Sequence, residues 1–476
     1  MAEISIRKAA LINFAAKYSY VFINILYSSI LARLLTPEDF GVVAVISVFI
    51  SFFYIFTDMG IGTAIVQNKQ LTKADNDNIF SFSFYVAIIL AIFFSLFSFG
   101  IAGFYNNTVY KPLGSLLSLS LFFSTLNMVP NAMLLKEKRF KLIGIRLIAV
   151  TVVTCIMTII MALCGFKYYA LVLNSIISTG TTFLWNMKSV KLRIRLHFNM
   201  KSVHKIRNYS SFIFFFSIMN YFSRNLDNLF IGKVMGDVSL AYYDKAYKLM
   251  LYPVGNLANV ITPILHPILS DHQDNKPYIL AQYIKVARFL SLLGAFISAF
   301  CFFEAKDIML LMFGKQWLFA VPCFRILALS IWAQMITAGV GSIFQSLGKS
   351  NLLFYCGIIS SAITVAFILI GISFRDLTMI ALFITIAYNM HFFIGHFVMM
   401  KFGFGFKSRE FFLKLLPHVG VFAITFAALY AASFLTIDNF LLSLIIKGVI
   451  SGAAYLAGLI IFRQYSQLFF ILKRRG

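Results

Sequence analysis

Residues 224–253 read RNLDNLFIGKVMGDVSLAYYDKAYKLMLYP, and residues 32–44 read ARLLTPEDFGVVA. Shifted by 200 positions, the second motif falls on GKVMGDVSLAYYD (232–244), with Arg33 on Lys233, Leu34 on Val234, Phe40 on Leu240 and Gly41 on Ala241. Each motif follows an apolar segment, and the shift spans six such segments. An even number preserves orientation, so the repeat predicts two six-helix lobes related by an axis along the membrane normal, with substrate between them. The first part of 224–253 closes an apolar run that begins near Tyr209, which puts Arg224 and Asp227 at membrane depth. Three residues apart, they share one helix face. A charge there is costly and persists where it meets a partner or a watery cavity.

The chain around this stretch is that of an integral membrane protein. Of 476 residues, 60% are hydrophobic and 12% charged, with mean hydropathy +0.87; soluble domains carry about 25% charged residues. The net charge of +24 comes from 41 Lys and Arg against 17 Asp and Glu. These cations are spread over short loops between apolar runs, which marks membrane topology and a negative lipid surface rather than nucleic acid. The five cysteines lie in or beside apolar segments without a CxxC pair and read as small core residues. Arg7 and Lys8 precede an apolar run with Lys17 and Asn24 inside it and no A-x-A site after it, so it reads as an uncleaved first span.

Spans need about 20 apolar residues each. Fourteen are expected, near 10–34, 40–65, 79–103, 113–135, 145–164, 168–187, 209–232, 248–270, 286–303, 321–344, 352–371, 377–399, 412–434 and 440–462. The basic segments 136–141, 188–207, 400–414 and 473–475 then place both termini on the cytoplasmic side of a bacterial inner membrane. The expected organisation is a six-helix lobe over 1–187, a basic cytoplasmic linker over 188–208, a second six-helix lobe over 209–399, and two further helices with a basic tail over 400–476. The fold class is all-α membrane, about fourteen helices around a central cavity.

Polar residues recur at helical spacing in several spans, span ten among them with Ser330, Gln334, Thr337 and Gln345, but most of all in four. Span one has Asn13, Lys17, Tyr20, Asn24 and Ser28; span two has Ser47, Ser51, Tyr54 and Asp58. Span seven has Ser217, Asn220, Tyr221, Arg224, Asp227 and Asn228; span eight has Tyr252, Asn256, Asn259 and His266, with Pro253, Pro263 and Pro267 to bend it. Isolated Ser, Thr and Asn serve as interhelical hydrogen-bonding glue. The concentration of stripes in these four spans predicts a hydrated cavity lined by the first two helices of each lobe. Spans three, nine and eleven, more uniformly apolar, are expected to face lipid. Two deep cations, Lys17 and Arg224, suit an anionic pyrophosphate, and Asn, Tyr and Ser suit sugar hydroxyls. An Asp beside an Arg is able to accept a coupling proton or Na⁺. There is no phosphate loop, HExxH, GxSxG or paired-carboxylate loop, and His391 and His396 are five apart, off the spacing of a metal pair. No enzyme chemistry, resident metal or cofactor is expected.

The motifs LARLLTPEDFG (31–41), DMGIGTAIVQ (58–67), RNLDNLFIGKVMG (224–236), AYYDKAYKLMLYPV (241–254) and PILSDHQ (267–273) keep their order across most of residues 1–400. Together they resemble the polysaccharide transporter family, whose members include Wzx-type O-antigen flippases and colanic-acid-type exporters, in the multidrug/oligosaccharidyl-lipid/polysaccharide exporter superfamily. The resemblance implies transport of undecaprenyl-pyrophosphate-linked oligosaccharide from the cytoplasmic to the periplasmic leaflet, by rocking lobes and an ion gradient. It carries the family's cationic cavity positions onto Arg224 and Lys17 and its span-two acid onto Asp58. The expected substrate-binding set is Lys17, Asn24, Asp58, Asn220, Tyr221, Arg224, Asn256 and Lys447, with Asp58 and Asp227 coupling H⁺ or Na⁺. Lys447, inside the last span, either snorkels or meets the pyrophosphate, while spans thirteen and fourteen are placed to hold the lipid tail. Expected partners are the lipid-linked oligosaccharide, membrane lipids and glycan polymerase or ligase machinery. The alternatives are a drug or organic-cation antiporter, which twelve spans and an acidic cavity would mark, a lipid II flippase, which would bear more cavity arginines, and a glycan polymerase, which would need a long outer loop.

Overall fold

The computed structural model describes residues 6–58, 61–68, 70–194, 199, 200, 202, 218, 221, 225–258, 265, 269, 270 and 272–465. The described chain is helical, and it folds as two compact units, Met1–Ala241 and Tyr242–Gly476. Nine helices among the described residues are long and apolar enough to cross a membrane, and ten if one bent pair counts as a span. The fourteen expected spans are therefore not all matched. Span seven falls largely outside the described residues, and span eight in part. The expected sixth span is a helix, but Asn174, Ser175, Ser178, Thr179, Thr181, Thr182 and Asn186 dilute its apolar character.

In the first unit, α1 (Ile6–Leu34) and α2 (Pro37–Asp58) are separated by a sharp break. Thr36 caps α2: the Asp39 carboxylate accepts from the Thr36 N–H and O–H, at 3.1 and 2.9 Å, and Thr36 Oγ1 accepts from the Asp39 N–H at 3.2 Å. This reciprocal box satisfies otherwise orphaned helix-start donors. Pro37 follows at the first helical position, where its missing N–H costs nothing. After the short α3 (Ile61–Gln67), the same device starts α4 (Lys73–Tyr105), with Thr72 and Asp75 exchanging hydrogen bonds. Next come α5 (Tyr110–Lys136), α6 (Phe140–Leu163), α7 (Tyr168–Val190) and α8 (225–235). The last turn of this unit opens α9 (Asp237–Pro253).

The helix starts keep the spacing of the repeat. Helix α2 begins at Pro37 and α9 at Asp237, 200 positions apart. Before α9 the break is made by Gly236, whose φ of +84° an L side chain rarely adopts. Tyr221 and residues 225–241, expected in the second lobe, belong to the first unit. Tyr105 O–H donates to the Leu229 carbonyl at 3.1 Å, and Tyr110 O–H to Asp237 Oδ2 at 3.1 Å. Gly41 lies so close to α9 that an added Cβ would sit 2.3 Å from the Asp237 carbonyl oxygen.

Within this unit α5 is central, lying between α4 and α7. Ser120 joins three helices, bonding Tyr54 Oη of α2 at 2.7 Å and Thr179 Oγ1 of α7 at 3.2 Å. This is polar glue of the kind membrane bundles use. Helix α4 presents Ile89, Ile92, Phe93, Leu96 and Phe99 outward, as the expectation of a lipid-facing third span requires.

The second unit continues α9 through a π-helical turn (Val254–Ala258). It then holds α10 (Lys276–Phe303), α11 (Ala305–Met312), a 3₁₀ turn (Lys315–Ala320), α12 (Val321–Ala328), α13 (Ile331–Thr337) and α14 (Val340–Ser346). The long α15 (Ser350–Ser373), α16 (Leu377–Val398), α17 (Ser408–Ala432) and α18 (Phe440–Ile461) follow. Expected span ten is not one straight helix: Lys315–Ala328 and Ile331–Ser346 meet at 51°. At the bend Ser330 Oγ donates to the Leu327 carbonyl at 2.7 Å, a side-chain bond that competes with the helix ladder.

Helix α10 corrects the expectation that span nine faces lipid. Ile279, Tyr283, Ala287, Leu290, Leu292, Ala295 and Ala299 are buried, and α10 packs on α12, α13 and α17. At Gly294 an added Cβ would meet the Trp332 backbone at 2.8 Å. Lipid and neighbouring helices are equally apolar, so composition alone does not separate an outer helix from an inner one; small residues at the contact do. Helix α15, expected to face lipid, exposes Phe354, Tyr355, Ile358, Ile359 and Leu369.

Candidate functional site

The expected site residues fall into five groups. Asn220, Arg224 and the side chain of Asp58 lie outside the described residues. Lys17 is exposed on α1. Two amides are turned back on their own helices: Asn24 Nδ2 donates to the Tyr20 carbonyl at 2.8 Å and Asn256 Nδ2 to the Tyr252 carbonyl at 2.9 Å.

Tyr221 and Asp227 are brought against the first unit. Tyr221 O–H donates to the Val48 carbonyl of α2, and its ring centroid lies 5.5 Å from that of Phe52. Asp227 is 3% exposed, and its Oδ1 accepts from the Asn228 N–H at 2.8 Å. The segment carrying Asp227 thus runs beside the helix that ends in Asp58. Asn225 Nδ2 donates to the Tyr221 carbonyl at 2.9 Å, which ties Tyr221 to the first turn of α8.

Lys447 is placed differently from the rest. Its Nζ lies 3.3 Å from Glu304 Oε2, at the junction of α10 and α11, with the Glu304 side chain 1% exposed. The carboxylate was missed in the sequence because Glu304 falls one residue past expected span nine and reads as a loop acid.

Arg146 is a second residue that sequence reasoning missed. It is 7% exposed on α6, and its guanidinium donates to Asn186 Oδ1 of α7 and, at 3.3 Å, to Asn131 Oδ1 of α5. Asn186 Nδ2 in turn donates to Asn127 Oδ1 at 2.7 Å. Four amide and guanidinium groups thereby cross-link three helices. The available signal was the Asn127–Asn131 spacing of four, which puts both amides on one face of α5.

At the same end of this unit the basic linker is anchored by neutral groups. Ser202 O–H donates to Asp75 Oδ1 at 2.8 Å, Asn78 Nδ2 donates to Ser202 Oγ at 3.2 Å, and the Arg193 N–H donates to Asp77 Oδ1 at 3.2 Å. Leu192 is buried in the apolar cluster of α3, α4 and α5.

Two of the histidines, His391 and His396, have structural employment. His396 Nδ1 faces the Phe392 carbonyl at 2.7 Å, so it carries the proton and Nε2 accepts from Tyr283 O–H at 2.7 Å. His391 bonds the Ser360 carbonyl at 2.9 Å. Among the described residues, no group of three or more His, Cys, Asp or Glu is arranged to hold a metal ion.

The sequence pattern of one protein family, described as polysaccharide biosynthesis protein, matches residues 30–322. The chain belongs to this family. As a polysaccharide biosynthesis protein it is 22% identical over 405 residues to lipopolysaccharide biosynthesis protein WzxC of Escherichia coli (strain K12), covering 83% of this chain and 80% of WzxC. It is 21% identical over 306 residues to teichuronic acid biosynthesis protein TuaB of Bacillus subtilis (strain 168), covering 64% and 63% of the two chains. In fold it is similar to the lipid II flippase MurJ in an inward closed conformation, with TM-score 0.74 and 16% identity over 96% of this chain and 99% of that one. A multidrug resistance MATE family transporter of the MOP superfamily is less alike, with TM-score 0.61 and 16% identity over 79% and 92%. At that identity the likeness is one of fold. The protein is a multi-pass, all-helical membrane protein of the polysaccharide biosynthesis family.

Proposed function

We propose that this protein is a flippase for undecaprenyl-pyrophosphate-linked oligosaccharide, the repeat unit of an O-antigen or exopolysaccharide. It moves that unit from the cytoplasmic to the periplasmic leaflet by alternating access. The observation that carries the reading is the family match over residues 30–322 on a fold that follows MurJ over 96% of the chain. A polysaccharide biosynthesis protein with a transporter fold passes a saccharide intermediate across the membrane rather than making its bonds. Among the fold relatives, MurJ is named as a flippase and aligns more fully than the drug transporter does.

In this reading Arg224 and Lys17 meet the pyrophosphate, because a cation in a low-dielectric vestibule attracts phosphate strongly. Asn24, Asn220, Tyr221 and Asn256 take sugar hydroxyls. Asp227 and Asp58 exchange H⁺ or Na⁺ with the gradient that drives the cycle. Lys447 already has a carboxylate partner, and its role is to position α18 rather than to touch the head group. Both termini lie in the cytoplasm, as the basic segments dictate, and the flipped unit is handed to a glycan polymerase or ligase.

Deleting the gene and extracting lipid-linked intermediates tests this. One lipid-linked glycan is expected to accumulate on the cytoplasmic leaflet while surface polysaccharide is lost. Arg224→Ala is expected to reproduce that loss with the protein still in the membrane, and Arg224→Lys to restore part of the export, because much of the binding is charge. A deletion strain with normal surface polysaccharide and no accumulated intermediate would sink the proposal.

A further inference from the structure

The α6–α7 face of the first unit carries a feature that the flippase reading does not use. Two adjoining cavities share the ring of Trp185. The first, of about 420 Å³, is lined by Lys138, Arg139, Lys141, Ile145 and Trp185 among others. The second, of about 500 Å³, is lined by Leu184, Trp185 and Lys188. Both lie at the ends of α6 and α7 that carry the basic 136–141 segment and the start of the basic linker.

The chemistry is layered along the helices. Lys138, Lys141 and Lys188 are exposed at the helix ends. Trp185 follows, 38% exposed, and then Ile145 and Leu184, 52% and 64% exposed. Lys141 to Ile145 and Lys188 to Leu184 are each four residues, a rise of about 6 Å. Charge, amphipathic ring and aliphatic surface therefore succeed one another over the first turns, the order in which a phospholipid presents phosphate, glycerol and acyl chain. Tryptophan belongs at that depth of a membrane.

Charge complementarity selects the occupant. Arg139 is partly committed, donating to the Ser189 carbonyl at 3.0 Å and lying 3.7 Å from Glu137. Glu137 offsets Arg139, while Lys138, Lys141 and Lys188 also line the two cavities. The excess of positive charge calls for an anion, and the exposed aliphatic floor calls for a chain attached to it. Basic pockets between membrane helices bind anionic head groups for this reason.

We infer that the α6–α7 groove is a binding site for an anionic glycerophospholipid, its phosphate held by Lys138, Lys141 and Lys188 and its acyl chains laid over Ile145 and Leu184. The lipid is a resident of the first unit, separate from any transported substrate. It would brace the basic end of α6 and α7 from outside while the Arg146 network braces it from within.

The test uses the purified full-length protein in detergent with equal phosphatidylglycerol and phosphatidylethanolamine, and counts retained lipids by native mass spectrometry. Wild-type protein is expected to keep phosphatidylglycerol with about a five-fold preference or more, since each basic side chain near a head group contributes a factor of that order. Lys138→Asn/Lys141→Gln/Lys188→Gln is expected to bring the preference near unity. Asn is chosen at 138 because that residue has a φ of +55°, which Asn tolerates. A control, Lys401→Gln/Lys407→Gln/Lys414→Gln, removes the same charge elsewhere and is expected to leave the preference intact. Lys188→Gln alone, on an exposed last turn, carries the test if the triple variant fails to fold, with a partial loss expected. An unchanged preference in the groove variants, or an equal loss in the control, would overturn the site.

Discussion

Arg146 in the first unit and Lys447 in the second are both cations set among apolar helices, and the fold stabilises them in opposite ways. Lys447 meets a carboxylate, Glu304 Oε2 at 3.3 Å. The pair cancels its charge and joins the end of α10 to α18. Arg146 meets amides, Asn131 and Asn186, which supply oxygen dipoles but no countercharge. A planar guanidinium presents several donors in a fixed fork, so it links several partners at once, whereas an ammonium is a compact point charge. The contrast teaches that a buried cation in this chain is not by itself a substrate ligand. Its partners decide whether it is a strut or a site.

The contrast is broken most severely at Arg146. Arg146→Met keeps the volume and leaves Asn131 and Asn186 without their common donor, amid three packed helices. Each buried acceptor left without its donor costs about 1–3 kcal/mol, and two are stranded together, so a large fall in detergent melting temperature and in membrane yield is expected. Arg146→Lys should recover only part, because one ammonium does not reach both amides with the same geometry. A melting temperature equal to wild type for Arg146→Met would mean that the amides do not need the charge.

How much of this could be read in the sequence differs between the two cations. The helical membrane fold followed from composition, and the helix starts from local chemistry: Thr36-Pro37-Glu38-Asp39 and Thr72–Asp75 are caps whose signals lie within four residues. Lys447 stood out because it sits in the middle of an apolar run, yet its partner is 143 positions away. Arg146 did not stand out, because it lies at the edge of expected span five and reads as an interfacial residue. Its amide partners are 15 and 40 positions away. Sequence spacing reports which residues share a helix face, but not which helix faces which. The depth of α10 was lost for the same reason. Within the site, the turn of Tyr221 onto Val48 depends on how two helices pack, while Arg224, Asn220 and the side chain of Asp58 lie outside the described residues.

The pair at Lys447 sharpens the comparison through a double-mutant cycle. Lys447→Met strands the Glu304 carboxylate in an apolar site and is expected to cost about 1.5–3 kcal/mol, the range for a hydrogen bond to a charged group. Glu304→Gln should cost less, because Lys447, with 13% of its side chain exposed, retains some access to its surroundings. The double variant should recover much of the loss, giving a coupling energy that marks the pair as a strut. If transport collapsed in Lys447→Met while stability was unchanged, Lys447 would be a substrate contact after all.

The smallest effect is expected where a neutral donor meets an acid. Tyr110 O–H reaches Asp237 Oδ2 at 3.1 Å, where the first turn of α9 rests on the α4–α5 end of the first unit. Tyr110 is fully buried, and Tyr105 packs edge-on against it with ring centroids 5.7 Å apart. Tyr110→Phe keeps that ring packing and removes one hydrogen bond, so the expected cost is about 1 kcal/mol. The same contact includes the Gly41 approach to the Asp237 carbonyl, where the repeat puts Gly in one copy and Ala241 in the other. If this contact is a latch that must release in each cycle, Tyr110→Phe lowers stability slightly while raising the transport rate. If it is a fixed strut like Arg146, stability and rate fall together. Measuring both in one vesicle preparation separates the two roles.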